Sequence, residues 1–109
     1  MKLQRAAAFG VTLLLGGGLF VIGCQSSALT SGKLYMKQQK YDQAREQLEL
    51  AVEVEPGNPE ALYQLGRLCG LQGDYVALAE AFDRAQELSS VYDSEISETR
   101  QHYWSRIYN

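Results

Sequence analysis

The sequence offers little with which to do chemistry. Its 109 residues hold one histidine, His102, one tryptophan, Trp104, and two cysteines, Cys24 and Cys69. A lone histidine excludes a paired-His metal site, and cysteines this few and this far apart give neither zinc-ligand spacing nor a disulfide framework. A Cys69–His102 nucleophile would need distant segments to meet; Cys69 lies in an apolar helical stripe and reads as a small core residue. No glycine-rich phosphate loop follows a strand, because no segment reads convincingly as a strand. The carboxylates Glu53 and Glu55, or Asp93, Glu95 and Glu98, fit helix ends and solvated faces better than acid–base pairs. The expectation is a protein that is not an enzyme. Positive charge is also short: the formal net charge is −3, and residues 24–109 alone carry eight basic against thirteen acidic side chains. That balance excludes a general binder of phosphate backbones, so nucleic acid is not an expected partner.

What is present begins with a segregated N-terminus. Lys2 and Arg5 precede 17 uncharged residues, Ala6 to Ile22. These are the positive and apolar regions of an export signal. A permanent span needs about 20 apolar residues, and Gly16, Gly17 and Gly18 weaken the helix midway, so the segment suits removal better than residence. The run ends in Val21-Ile22-Gly23-Cys24, which resembles the lipobox of bacterial lipoproteins. The resemblance implies cleavage after residue 23, a diacylglyceryl thioether on Cys24 and usually an acyl chain on its new amine. Two or three chains hold a protein on a bilayer where one does so only marginally, at about 0.8 kcal/mol per buried methylene. No other cofactor is expected. Gln25 follows the cysteine and no Asp stands there, which by analogy implies the outer membrane, facing the periplasm, of a bacterial cell envelope. An ordinary signal-peptidase site at Ser26-Ser27-Ala28 and an uncleaved anchor remain the alternatives.

Residues 24–27 leave only a short linker before helical character begins. Ala28 to Gln39 has Leu34 and Tyr35 available to face inward. Tyr41 to Val54 stripes Tyr41, Ala44, Leu48, Ala51 and Val52 at three- and four-residue steps. Pro56 stops that helix, Gly57 suits a left-handed position, Asn58 is a good N-cap and Pro59 a good first residue. Pro59 to Gln72 stripes Leu62, Leu65, Leu68 and Cys69. Gly73 ends it and Asp74 caps a fourth helix, Tyr75 to Leu88, striped by Tyr75, Leu78, Ala79, Phe82 and Ala85. Ser90 to Asp93 has the form of a capping box before a closing helix at about 91–108, which carries Tyr92, Ile96, Tyr103 and Ile107 at helical spacing. The fold class is all-α, with short turns and antiparallel neighbours, over residues 28–109.

The helices also repeat. A shift of 34 residues lays Gly66 on Gly32, Leu68 on Leu34, Tyr75 on Tyr41, Phe82 on Leu48 and Ala85 on Ala51, a period of helical-hairpin arrays. With Ala44 as a small crossing residue and Pro56 as the terminator, this pattern resembles the tetratricopeptide repeat. The two repeats cover about 25–58 and 59–90, with a C-terminal capping helix after them. Ala28 and Ser31 stand where bulky residues are usual, Leu78 where Ala is, and Ser90 replaces a second proline.

The resemblance implies a partner-binding concave face built from the first helix of each hairpin. By position, that face gathers Leu29, Lys33, Met36 and Lys37, then Tyr63, Arg67 and Leu71, then Gln101 and Trp104. Three cations among apolar groups on an acidic protein would suit a peptide or helix with carboxylates and a few apolar anchors. The expected role is a lipid-anchored adaptor for an envelope protein, with assembly of an envelope or pilus complex among the jobs that such lipoproteins do. The alternatives are a structural subunit of a homo-oligomer or of a fixed envelope complex without a groove and, more remotely, an enzyme using Cys69.

Overall fold

The computed structural model describes residues 26–108. These form five helices and, among the described residues, no strand: α1 (Ser27–Lys37), α2 (Tyr41–Val54), α3 (Pro59–Leu71), α4 (Tyr75–Leu88) and α5 (Asp93–Tyr108). The turns between them take three, four, three and four residues, so the repeat extends to its punctuation. Helices α1 and α2 make one hairpin, α3 and α4 the next, and α5 lies against α3 as a capping helix. The segment expected to be an export signal, and Cys24, fall outside the described residues.

The two hairpin turns have the same backbone for a visible reason. After α1, the amides of Gln38, Gln39 and Lys40 donate to the carbonyls of Leu34, Met36 and Tyr35; after α3, those of Gln72, Gly73 and Asp74 donate to Leu68, Gly70 and Cys69. Each pattern closes the last helical carbonyls with one residue in the left-handed region. That residue is Gly73 at φ +79° in the second hairpin and Gln39 at φ 59° in the first. Gly57, the other glycine expected there, does not have positive φ. Glu55 ends α2 at φ −127°, ψ 73° instead, and the Asn58 amide turns back onto its carbonyl at 3.1 Å. Helix starts differ as well: Asn58 accepts from the Glu60 amide and Asp74 from the Ala77 amide, whereas Lys40 supplies no cap to α2. Helix α5 starts at Asp93, after a turn in which Ser89 Oγ accepts from the Val91 amide and the Ser90 carbonyl from the Asp93 amide. The expected capping box is replaced by this turn.

The core follows the stripes. Ala28, Leu29, Ala44, Leu48, Ala51, Ala61 and Leu68 form one buried cluster; Leu62, Cys69, Leu78, Phe82, Ala85 and Ile96 form the next. Leu34, expected to face inward, is 53 % exposed. Its counterpart Leu68 is buried because the first hairpin lies against it, and no described hairpin precedes α1.

Close approach is set by glycine. A methyl group at Gly32 would meet Leu48 Cγ and Cδ2 at 2.6 Å, and one at Gly66 would overlap the Phe82 ring. In both hairpins a small residue on the first helix meets a large one on the second. A third contact, absent from the sequence reading, seats Tyr103 of α5 on Gly70, where an added methyl would lie 2.7 Å from Tyr103 Cζ. Thirty-four residues beyond Gly66 stands Arg100, paired to Asp83 at 2.6 Å and 5.7 Å from the Phe82 ring centre. Where the hairpins need glycine, α5 carries a long cation, so a second helix cannot close on it as α4 closes on α3.

Candidate functional site: a concave groove across α1, α3 and α5

The odd-numbered helices lie side by side, and two adjoining depressions run across them. Lys33, Met36 and Lys37 of α1 and Gln64, Arg67 and Leu71 of α3 line the first, of about 260 Å³. Arg67 and Leu71, with Glu98, Thr99, His102 and Tyr103 of α5, line the second, of about 270 Å³. Because both share Arg67 and Leu71, they form one open groove. Spacing explains the composition: residues three and four apart on a helix share a face, so 33, 36 and 37 present one edge of α1, and 64, 67 and 71 one edge of α3.

The groove thus brings together Lys33, Met36, Lys37, Arg67 and Leu71 of the face expected from the sequence. Leu29 is not among them: it has no exposed surface and belongs to the first core cluster, with residues of α2 and α3. Tyr63 is a brace and not a wall. Its ring stacks on Tyr92 at 4.5 Å and near Phe82 at 6.1 Å, while the Arg67 guanidinium sits 5.7 Å above it. Such a cation–π contact positions Arg67 at the groove.

On α5 the expected pair is displaced. Gln101 is exposed and lines neither depression. Trp104, 63 % exposed, lies on the other flank of α5, beside Tyr75 and Leu78 of α4. Transfer by 34 residues carried over Arg67 and Gly70, which face the following helix of the array; α5 meets the groove with the flank that faces the preceding one. Glu98, Thr99 and His102 therefore stand there, and the four-residue offset between 98 and 102 was the available signal.

The charges in the groove are unequal. Lys33 is paired with Glu60 at 2.6 Å, with the two side chains 41 % and 25 % exposed. At that exposure the pair is worth little for stability, but it tempers the Lys33 charge. Arg67 donates to Gln64 at 3.0 Å, and Lys37 is exposed. Burial pushes the Tyr103 hydroxyl above its ordinary pKa, which favours its neutral form.

Away from the groove, Arg45 of α2 bolts the hairpins together. It reaches Glu49 at 2.8 Å, Gln72 at 3.1 Å and Asp74 at 3.0 Å. Donating to the Glu49 carboxylate and then to that of Asp74 holds its charge more firmly still. Cys69 lies under this network, 1 % exposed, and burial pushes its thiol up, away from the reactive thiolate. Among the described residues no cluster of His, Cys, Asp or Glu could hold a metal.

A right-sized stack of helical hairpins with a groove along alternate helices is a protein-interaction platform. The tetratricopeptide repeat family model matches residues 29–92, and the chain belongs to that family. Its repeats generally bind proteins and do not catalyse. No curated protein matches the chain.

Proposed function

We propose that the protein is a lipid-anchored adaptor, held by Cys24 on the periplasmic side of a bacterial envelope membrane, that captures a peptide or helix of another envelope protein. The observation that carries the capture is the meeting of Lys33, Lys37 and Arg67 with Met36 and Leu71 in one open groove. Cations beside exposed apolar side chains favour a segment with carboxylates and one or two apolar anchors. Glu98 at the far end opposes a uniformly acidic ligand and favours one whose negative charge is gathered at the α1 end.

The full-length protein carrying Lys37→Glu and Arg67→Glu should cross-link to its partner in cells from position 36 far less than wild type, with helicity unchanged. Equal cross-linking would refute the groove. The anchor has its own test: Cys24→Ser should leave the precursor uncut and move the protein out of the lipid-modified membrane fraction, and mature, lipid-labelled protein from that variant would refute it. Assembly of an envelope or pilus complex is the class of job that such an adaptor would serve.

A further inference from the structure

The described chain enters the fold at one end of the platform and is fastened there. Short turns alternate the helix ends, so the starts of α1, α3 and α5 and the ends of α2 and α4 lie together at this entry end. The Ser26 amide donates to Glu55 Oε1 at 3.1 Å, and Asn58 Nδ2 donates to the other carboxylate oxygen at 2.9 Å. One side chain thereby ties the first described residue to the α2–α3 turn. Cys24 precedes Ser26 by two residues, which at about 3.6 Å per residue keeps its Cα within about 7 Å of Ser26. The opposite end of the platform lies a helix length away: α2 has 14 residues and spans about 20 Å.

We propose that the platform stands on the bilayer by its entry end, with its helices rising from the membrane and its groove running along the membrane plane. This rests on the lipid anchor at Cys24 proposed above. Reach is the first argument. A tether of about 7 Å, fastened at Ser26, holds the entry end at the lipid headgroups, whereas the opposite end stands off by most of a helix length. Breadth of contact is the second. Val54 and Leu88 hold the same position in the two repeats, and with Val91 of the α4–α5 turn they leave exposed apolar side chains along this end from α2 to α5. Contact is thereby spread across the array and does not fall on one edge. Each such side chain adds little, and the acyl chains supply the attachment. Charge selects the lipid: Glu53 and Glu55 at the end of α2, Glu87 near the end of α4 and Asp93 at the start of α5 would be repelled by anionic headgroups, so zwitterionic ones suit this surface.

The groove is level with respect to the entry end. Lys33, Gln64 and Glu98 lie about 8–9 Å along α1, α3 and α5 from the helix starts, and Lys37, Leu71 and His102 about 14–18 Å along them. Its walls therefore keep one height across three helices. A peptide in the groove lies parallel to the bilayer within about 25 Å of it, the tether included.

Site-directed fluorescence quenching tests the orientation. Full-length protein lipidated in a bacterial host carries one label at a time, through Gly57→Cys or Ser90→Cys at the entry end or Lys40→Cys at the opposite one. All three sites are exposed, and Cys69 is buried away from the reagent. The protein is reconstituted into phosphatidylcholine vesicles that include a lipid with a nitroxide headgroup. Labels at 57 and 90 should both be quenched roughly threefold or more above that at 40, as about 20 Å of helix separates the ends, with helicity unchanged. Vesicle-bound protein quenched as strongly at 40 as at 57 would overturn the proposal and leave the anchor standing. Quenching at 57 but not at 90 would overturn it too, since the array would then tip up from α1. Protein that fails to float with the vesicles would overturn the anchor and the orientation together.

Discussion

Replacing Gly66 by alanine tests the packing of α3 on α4 more sharply than any other single change. Inside a helix, alanine is favoured over glycine by about 1 kcal/mol, so an uncrowded site would be stabilised. The added methyl would overlap Cδ1 and Cε1 of Phe82 and lie 3.2 Å from Cζ. Phe82 has no exposed surface, and its ring is held between Tyr63 at 6.1 Å and the Arg100 guanidinium at 5.7 Å. A rigid ring so confined cannot step aside, and overpacking of this kind costs about 1–3 kcal/mol. Taking the upper part of that range and subtracting the propensity gain leaves a net loss of about 1–2 kcal/mol, or roughly 5–10 °C in Tm for a domain this small. The matching change at Gly32 meets the Leu48 side chain, which has other rotamers, and should cost less. Adding Phe82→Leu, which copies the first hairpin, should recover part of the Gly66→Ala loss, with a coupling of about 1 kcal/mol in a double-mutant cycle. Urea and thermal unfolding followed by far-UV circular dichroism measure all four variants. Greater stability of Gly66→Ala, by about the 1 kcal/mol that helix propensity alone provides, would refute the close approach.

Gln39→Gly should stabilise the first hairpin by about 0.5 kcal/mol, the relief of a left-handed side chain less the greater freedom of the unfolded chain, whereas Gly73→Gln should destabilise the second; urea midpoints that move in the same direction would contradict this. Lys40→Asp should gain about 1 kcal/mol by giving α2 the cap that Asp74 gives α4, since Lys40 (φ −91°, ψ 73°) already has the backbone of Asp74 (φ −89°, ψ 81°); no rise in Tm would count against it. Asp74 carries a depressed pKa, first because the Ala77 amide donates to it and then because Arg45 pairs with it. Its stabilisation is therefore fully present above the ordinary carboxylate pKa of about 4 and lost as pH falls through the lower folded value. Asp74→Asn keeps the cap and removes the charge, so its deficit against wild type should vanish in acid; a deficit independent of pH would show that Arg45 contributes nothing.

The hairpins were legible in the sequence because their determinants are local or periodic. Stripes, Asn58 and Asp74 as caps, Gly73 as a stop and the recurring small and bulky positions each depend on neighbours within one repeat. Errors fell where a residue's surroundings change at an end of the array. Leu34 has the same spacing as Leu68, but no described hairpin covers it. Trp104 took the role of a groove residue because position alone cannot say which flank of a last helix faces the groove. Leu29 was misassigned for a different reason: its burial depends on side chains of α2 and α3 that pack around it, and position within α1 alone does not specify them. Glu98 and His102 were passed over as a solvated face and a stray histidine, although their four-residue spacing puts them on one edge.

The two ends of the array are built on different principles, and the difference bears on what each can join. Positions 27 and 31, which correspond to Ala61 and Leu65 of the second hairpin, are serines, while Leu34, the counterpart of Leu68, stays exposed; at this end polar side chains replace part of the apolar surface on which another hairpin would pack. The far end removes glycine instead. Arg100 and Trp104 replace the small residues that admit a helix to close contact, yet they keep an aromatic surface and a cation at the rim. Burying that surface against another hairpin of the same design would drive Arg100 from Asp83 and crowd Trp104, at the cost of a desolvated charge. A partner standing further off would cover Trp104 and Tyr75 while leaving the Arg100–Asp83 pair in place. The first end thus offers an apolar neighbour little beyond Leu34, whereas the second rejects only a close one.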